Sequence, residues 1–192
     1  MIVTDKNKLK NPCEVVALKE GEEIGVRLLH ELRQSENGIG LAANQIGINK
    51  RVCVINVKEP IILINPEIVE KSDETFMFPE GCLSFPKDKV RTTRYVSIKV
   101  IADNYEGKLS FSADSKDIDD AFECACVQHE IDHLDGVTMF DREIKKLQPF
   151  KREGKKIGRN EKVLIKKGTE SKTIKFKKYN KMQEDGWVLV EA

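Results

Sequence analysis

The stretch DIDDAFECACVQHEIDHLDG, residues 117–136, predicts a helix around which the rest of the chain can fold. Asp117 is a suitable N-cap, and two acidic residues follow it in the first turn, where the helix dipole favours negative charge. The Asp-Gly pair at 135–136 ends the helix. His129 and His133 are four residues apart and therefore project from one face. The sequence thus predicts a helix that presents two imidazoles side by side.

These two histidines form the motif H-E-x-x-H, in which such a pair can bind one metal ion. Glu130, beside the first histidine, is placed to act as a general base on water at that metal. A catalytic site of this kind has three protein ligands and keeps one position open. Zinc proteases take the third ligand from further along the chain, but no histidine follows His133.

The better candidate for the third ligand lies upstream, in the segment EGCLS at residues 80–84. Cys82 is predicted to stand there in a glycine-containing loop, whose backbone can approach a bound ligand closely. The competing interpretation of Cys82 is a buried free thiol, which is the common fate of cysteine.

A third segment, GIGLAANQ at residues 38–45, has two open interpretations. It is either a tight turn that enters a buried segment or a backbone surface for an extended ligand, with Gln45 as a polar donor. A phosphate-binding loop is disfavoured, because the segment lacks a third spaced glycine and the G-K-[ST] element.

The rest of the chain supplies short elements around the central helix. Leucine and isoleucine residues at helical spacing predict an amphipathic helix over 20–35. Runs rich in β-branched residues predict strands at 51–57, 61–65 and 95–101, and a turn over 104–107 precedes a further predicted strand at 108–112. Because strands and helices do not alternate regularly, the predicted fold class is α+β, with small mixed or antiparallel sheets packed around the helix that carries H-E-x-x-H.

Composition narrows the class of protein. Charged residues make up 34% of the chain, and no apolar run reaches the roughly 18 to 20 residues of a membrane span. The first residues are polar and lack the apolar core of a secretory signal, which predicts a cytoplasmic protein without membrane contact. The five cysteines are an odd number in such a chain, so we expect reduced thiols.

Charge is distributed unevenly along the chain. Residues 1–141 carry 17 Lys+Arg and 25 Asp+Glu, a balance of −8, whereas residues 142–192 carry 16 and 7, a balance of +9. We therefore predict a main domain over 1–142, a basic and exposed linker over 143–160, and a small basic C-terminal extension over 161–192. The extension contains KVLIKK and TIKFKK around a Gly-Thr-Glu-Ser turn, which predicts a β-hairpin, followed by a short helix and a final strand.

Three interpretations of the basic extension stay open. It is a solvated appendage, a surface that binds ribosomal RNA or another polyanion, or a module for oligomerisation or a partner. Sequence-specific recognition of nucleic acid is disfavoured, because the extension lacks the dense aromatic residues on which bases stack.

The three motif segments together resemble the peptide deformylase family, which carries G-x-G-L-A-A-x-Q, E-G-C-L-S and Q-H-E-x-D-H-L-x-G in this order. Here they are GIGLAANQ, EGCLS and QHEIDHLDG, and the resemblance covers roughly residues 5–142. It implies an enzyme that removes the formyl group from the N-terminal methionine of nascent polypeptides and releases formate.

The resemblance also implies roles for single residues. It makes Cys82, His129 and His133 the metal ligands and Glu130 the general base and acid. Gln45 and the backbone N–H of Leu83 would then face the formyl oxygen. The family is generally regarded as using Fe²⁺ natively and as tolerating Zn²⁺, Ni²⁺ or Co²⁺.

The resemblance further implies a substrate pocket. The methionine side chain would lie in an apolar pocket formed by Ile39, Phe78, Phe122, Ala125 and Cys126. The backbone at Ile39, Gly40 and Gly81 would pair with the extended peptide as an added strand. Glu80 is expected to pair with Arg94, as in family members, whereas Lys89 stands where many bacterial members carry an arginine that can contact the peptide.

Two alternatives remain from the residues alone. One is a metalloprotease-like hydrolase that cuts other amides. The other is a binding module in which the metal is structural and the basic tail contacts the ribosome or another polyanion.

Overall fold

The computed structural model describes residues 2–115, 117–144, 151–152, 155–156 and 158–191. The chain forms two compact units, Met1–Ile144 and Lys145–Ala192. Each unit is described by itself.

The centre of the larger unit is helix α2, Ile118–Leu134. The carboxylate of its N-cap, Asp117, accepts a hydrogen bond from the Asp119 N–H at 3.0 Å. Every residue from Cys124 to Leu134 is buried. A helix that is buried all round belongs to a core, and here the buried part includes the whole H-E-x-x-H motif.

One side of the larger unit is a three-stranded antiparallel sheet backed by helix α1, Leu18–Arg33. Its strands, in the order β1-β2-β3, are Gly40–Ala42, Val52–Ile55 and Ile61–Ile64. Alternate residues of β2 face opposite ways: Val52 and Val54 join the cluster around α1, and Cys53 and Ile55 join the cluster around α2. Burial on both faces explains why this strand reads as a continuous apolar run.

A second antiparallel sheet and a long hairpin complete the larger unit. The sheet has the order β4-β7-β8, with strands Glu67–Lys71, Ser97–Ile101 and Leu109–Ser112. Ile98, Val100 and Phe111 pack from it into the cluster around α2. The hairpin joins β5, Thr75–Cys82, to β6, Phe85–Tyr95, through a two-residue turn.

The smaller unit has its own core. Its sheet has the order β12-β11-β13, with strands Glu170–Lys175, Lys162–Lys167 and Val188–Glu191. Helix α3, Tyr179–Gln183, follows β12. Val163, Ile165, Tyr179 and Trp187 are buried together, and the Lys172 ammonium lies 3.8 Å from the centroid of the Trp187 ring. The remaining strands, β9 and β10, are Lys151–Arg152 and Lys155–Lys156, which pair antiparallel.

The prediction of an α+β fold with antiparallel sheets is confirmed. Helix 20–35 is present as α1, and strands 51–57, 61–65 and 108–112 are present in shorter form as β2, β3 and β8. The predicted strand 95–101 begins two residues later, because Tyr95 ends β6. Among the described residues every strand pair is antiparallel, and the parallel geometry is limited to a bridge between Glu14 and Lys50.

Two local predictions were wrong. Cys82 is not in a loop but is the last residue of β5, since the strand runs through Pro79 and Gly81. Pro79 is tolerated because β5 belongs to a sheet of only two strands, where a ladder hydrogen bond can be spared. Within residues 151–160, part of the predicted linker, the structure describes the short antiparallel pair β9 and β10. Residues 145–150, 153, 154 and 157 of the predicted linker lie outside the described part. In the predicted hairpin the second strand is Glu170–Lys175, and Phe176–Lys178 form a 3-10 helix.

Among the helices that the structure describes, none combines the length and the apolar character needed to cross a membrane.

The end of α2 generates a test of the fold. Gly136 has φ +73° and closes a Schellman motif, in which the Val137 N–H donates to the Asp132 carbonyl and the Gly136 N–H to the His133 carbonyl. A Cβ at Gly136 would also collide with the Lys10 carbonyl. We expect Gly136→Ala to lower the free energy of unfolding by more than the ~1–2 kcal/mol of left-handed strain alone.

Gly107→Ala is the matched control for this prediction. Gly107 has nearly the same φ, +76°, but a Cβ there meets no atom within 4 Å. Chemical denaturation followed by far-ultraviolet circular dichroism would compare the two variants. An equal loss of stability in both would mean that the contact with Lys10 contributes nothing.

Candidate active site

The candidate site forms because β5 lies along α2 in matching register. Cys82 contacts His133, and Glu80 contacts His129. Two residues of a strand advance about 6.7 Å, and four residues of a helix advance about 6 Å, so the step from Glu80 to Cys82 matches the turn of α2 from His129 to His133. The alternation of the strand puts both β5 side chains on the face towards the helix.

The three predicted metal ligands lie together. The ligand atoms of Cys82, His129 and His133 are all within 4.8 Å of one another, and Cys82 Sγ is 3.2 Å from His133 Nε2. Thiolate and imidazole donors suit zinc and iron. Within the described residues, Glu130 Oε2 is among the buried side-chain atoms that lack a hydrogen-bond partner. Because buried polar atoms are normally paired, this oxygen fits a site for an additional group.

His129 is held from behind by Glu80. The distance from His129 Nδ1 to Glu80 Oε2 is 2.9 Å, which leaves Nε2 as the atom available to a ligand. Glu80 also accepts hydrogen bonds from Arg94 at 2.5 and 2.9 Å and from Thr92 Oγ1 at 2.5 Å. Burial opposes its ionisation, but the bonds from His129 and Arg94 outweigh burial and lower the Glu80 pKa to about 2. The expected pairing of Glu80 with Arg94 is therefore present.

The surroundings of the two imidazoles favour one positive charge. Burial opposes protonation of His129, but its hydrogen bonds with Cys82 and Glu80 outweigh burial and raise its pKa to about 10. Burial and the charge of His129 lower the pKa of His133 well below its usual value.

Glu130 points into the same region and is fully buried. Burial raises its pKa to about 7, and attraction to His129 opposes the shift. Gly40, the first residue of β1, packs directly on it: a Cβ there would lie 2.5 Å from Glu130 Oε1 and 2.6 Å from Cys126 Sγ. Glycine is therefore required at position 40 for close approach to α2, in a strand rather than in the tight turn that the sequence allowed.

Gln45 presents its amide N–H₂ group to the cluster. It lies in the 3-10 helix Ala43–Ile46 and is 1% exposed. Its Oε1 accepts a hydrogen bond from the Ala42 N–H at 2.8 Å, so Nε2 points the other way, 3.3 Å from Cys82 Sγ and 3.2 Å from Ser84 Oγ. Leu83 is half-buried in the turn between Cys82 and Ser84.

The predicted pocket residues are brought together in pairs. Phe78 on β5 and Phe122 on α2 make an edge-to-face contact with centroids 5.1 Å apart. The Cys126 thiol lies 3.4 Å from the Ile39 carbonyl oxygen, to which it donates. Ala125 is buried on α2, whereas Gly81 is exposed with open space where a Cβ would be.

Sequence reasoning missed several side chains that support the site. Phe76 extends the aromatic contacts, with its ring 5.8 Å from that of Phe78. Ser84 binds Gln45, Thr92 binds Glu80, and Asp132 binds Arg94 at 2.5 Å. Asp132 could have been identified from its position inside the motif, because a carboxylate on a buried helix requires a charged or hydrogen-bonding partner.

Known proteins with similar sequences and structures are peptide deformylases. The sequence profile of the Polypeptide deformylase family matches residues 1–150. A peptide deformylase of Hamiltonella defensa is 44% identical over 135 residues, covering 68% of this chain and 72% of that protein. The peptide deformylase of Pseudoalteromonas translucida is 38% identical over 144 residues, covering 73% and 80%. The crystal structure of peptide deformylase from Thermotoga maritima superposes with a TM-score of 0.67 and 32% identity, covering 76% of this chain and 97% of that one.

The match extends over the whole larger unit, and the relatives are covered over most of their length. The chain therefore belongs to the peptide deformylase family, metalloenzymes that remove the N-formyl group from nascent polypeptides.

Proposed function

We propose that Cys82, His129 and His133 hold one divalent metal ion in this chain and that the native ion is Fe²⁺, with Zn²⁺, Ni²⁺ or Co²⁺ as substitutes. The proposal is supported by the short distances among the three ligand atoms and by the Glu80 hydrogen bond that orients His129. Three protein ligands leave one position for water or substrate, as catalytic sites require. When bound, such an ion polarises the formyl oxygen and makes water nucleophilic near neutral pH.

We propose that Glu130 moves the proton. Its carboxylate takes a proton from the attacking water and passes it to the leaving amine, so that formate and a free N-terminal methionine are released. This role is supported by its burial beside the ligand cluster and by its unpaired Oε2. Gln45 Nε2 and the Leu83 N–H are proposed to donate to the formyl oxygen as negative charge develops there. One such donor is typically worth about 2.7–4 kcal/mol of transition-state stabilisation.

The substrate is proposed to bind between β1 and β5. Ile39, Phe78, Phe122, Ala125 and Cys126 would surround the methionine side chain, supported by the contacts Phe78–Phe122 and Ile39–Cys126. β1 is at the edge of its sheet, and β5 has one partner only. Each strand therefore offers an edge to which an extended peptide can add, with Ile39, Gly40 and Gly81 supplying the backbone. Because its substrates are new polypeptides, we also propose a cytoplasmic location.

The observation that carries the proposal is the buried Glu130 carboxylate beside a cluster of three ligands. A closed structural metal site would need a fourth protein ligand. In the described part of the chain the cluster has three members, Cys82, His129 and His133. This favours catalysis over a binding module with a structural metal.

Hydrolysis by the metal-loaded chain tests the proposal. We expect formate release from formyl-Met-Ala-Ser but no cleavage of the acetylated analogue or of casein, which a general metalloprotease would cut. Glu130→Gln should keep the metal and lose nearly all turnover, at least ~10²-fold, since it removes the group that transfers the proton. Metal analysis and formate release would be measured on the same samples. Substantial turnover by metal-loaded Glu130→Gln would exclude the proton-transfer role.

The third ligand is tested by a pair of cysteine variants. Cys82→Ser should lose most of its bound metal, because a thiolate ligand is removed. Cys124→Ser should retain its metal, since Cys124 lies on the far side of α2 from the cluster and its thiol donates to the Tyr95 and Val96 carbonyls. Metal content per chain decides the matter. Equal loss in both variants, or retention in both, would remove Cys82 from the ligand set.

We also propose that residues 1–142 are the catalytic domain, 143–160 a basic linker, and 161–192 an extension that contacts a polyanion such as the ribosome. Lys162, Lys166 and Lys175 are exposed and lie on the sheet face opposite to Val163 and Ile165. Lys162 and Lys175 are direct cross-strand partners, a like-charge arrangement that is unfavourable by itself. A negatively charged partner would relieve this repulsion.

Neutralising this face tests the polyanion proposal. Lys162, Lys166 and Lys175 changed together to Gln should weaken co-sedimentation with ribosomes and make the salt dependence shallower by about 0.7–0.9 per lost contact on a log–log scale. The control changes three exposed lysines of the larger unit, Lys8, Lys19 and Lys87, to Gln with the same loss of charge. Equal effects would mean that net charge alone matters, and no effect in either would end the proposal. Hydrolysis of a short formyl peptide should be unchanged in both.

A further inference from the structure

A line of alternating charges runs from the surface to His129. Arg142, whose side chain is 46% exposed, binds both oxygens of Asp132, through Nη2 at 2.7 Å and Nε at 3.1 Å. Asp132 accepts from Arg94 at 2.5 Å, and Arg94 donates to both oxygens of Glu80. Glu80 in turn holds His129 Nδ1. The line thus connects a surface arginine to a proposed metal ligand through three buried side chains.

Arg94 is shared between the carboxylates of Glu80 and Asp132, so a second positive charge, that of Arg142, is needed to balance the two negative charges. Arg94 is 3% exposed, and the side chains of Glu80 and Asp132 are 4% and 10% exposed, so little water screens their charges. Without Arg142, two carboxylates would compete for one guanidinium. With Arg142 on Asp132, the four charges balance, and Arg94 can keep both of its bonds to Glu80.

The segment that carries Arg142 is fixed in place. The Ile144 N–H donates to the Arg91 carbonyl at 2.7 Å, and Glu143 forms a bridge with Thr92. Thr92 is the residue whose hydroxyl also donates to Glu80. The last residues of the larger unit therefore lie against the strand that supports the ligand His129, and Arg142 is held in its position next to Asp132.

We infer that Arg142 is a positioning residue for the metal centre. Arg142 neutralises Asp132, so that Arg94 can keep its hydrogen bonds to Glu80. Glu80 then holds the His129 ring in the orientation that binds metal. The inference rests on the proposed ligand set.

The test uses the full chain loaded with Co²⁺. Arg142→Gln removes the charge and keeps much of the side-chain volume, whereas Arg142→Lys keeps the charge. Arg91→Gln is the control, since Arg91 is an exposed arginine of the neighbouring strand and lies outside the line of charges. The readouts are the rate of Co²⁺ loss to an excess of chelator and the near-ultraviolet and visible absorption of the bound ion, which responds to ligand type and geometry.

We expect Arg142→Gln to lose Co²⁺ about five to ten times faster than the unchanged protein, at or below the low end of the ~10–100-fold effect of partners that touch a ligand directly. Its absorption bands should shift. Arg142→Lys should stay within about twofold, and Arg91→Gln should match the unchanged protein.

The remaining outcomes separate the hypotheses. Retention of Co²⁺ by Arg142→Gln, or equal losses in the Gln and Lys variants, would overturn the role of the charge. Failure of Arg142→Gln to fold while Arg142→Lys folds would assign Arg142 a purely structural role and would also overturn it. If the unchanged protein gave no thiolate-to-cobalt absorption, the proposed ligand set would be wrong, rather than the role of Arg142 alone.

Discussion

Arg94 lies between Glu80 and Asp132 in the interior of the larger unit, and the arrangement of the site depends on these two ion pairs. A charged side chain in a protein interior is tolerated only when it is paired and hydrogen-bonded. Helix α2 is buried from Cys124 to Leu134 and yet carries two histidines and two carboxylates there. On one side of the helix, Asp132 forms ion pairs with Arg94 and Arg142. Glu130 lies on the other side, away from these arginines, and forms no ion pair with them.

The two sheets and the hairpin serve this helix in different ways. β2 fills the space between the two helices with side chains on both of its faces, which fixes the depth at which α2 is buried. β1 brings the backbone at Gly40 against Glu130 because no side chain intervenes. β5 presents Phe78, Glu80 and Cys82 on one face, and their side chains contact Phe122, His129 and His133 of α2, respectively.

The parts of the site that sequence could predict are those encoded locally. His129, Glu130 and His133 are close in sequence, and a helix alone places them together. Cys82 could be selected as a candidate from its neighbours, but its place at the end of a strand was hidden, because Pro79 and Gly81 are typical strand breakers. The hairpin around it was missed for the same reason.

Long-range contacts beyond those implied by the three motif segments could not be predicted from one sequence. Arg94 and Asp132 are 38 residues apart, and nothing in the residues near either identifies its partner. The close contact of Gly40 with Glu130 spans 90 positions. A glycine before a buried strand suits a turn as well as a close approach, and only the packing of β1 on α2 distinguishes the two. The charge change near residue 142 was visible in the sequence, but the backbone bonds of the segment 141–144 were not.

Trp187 is the single tryptophan of the chain and lies in the core of the smaller unit, under the Lys172 ammonium. The larger unit contains no tryptophan. Tryptophan fluorescence, excited at wavelengths where tyrosine does not absorb, therefore comes from the smaller unit alone. An unfolding curve recorded that way would report directly on the core of the smaller unit.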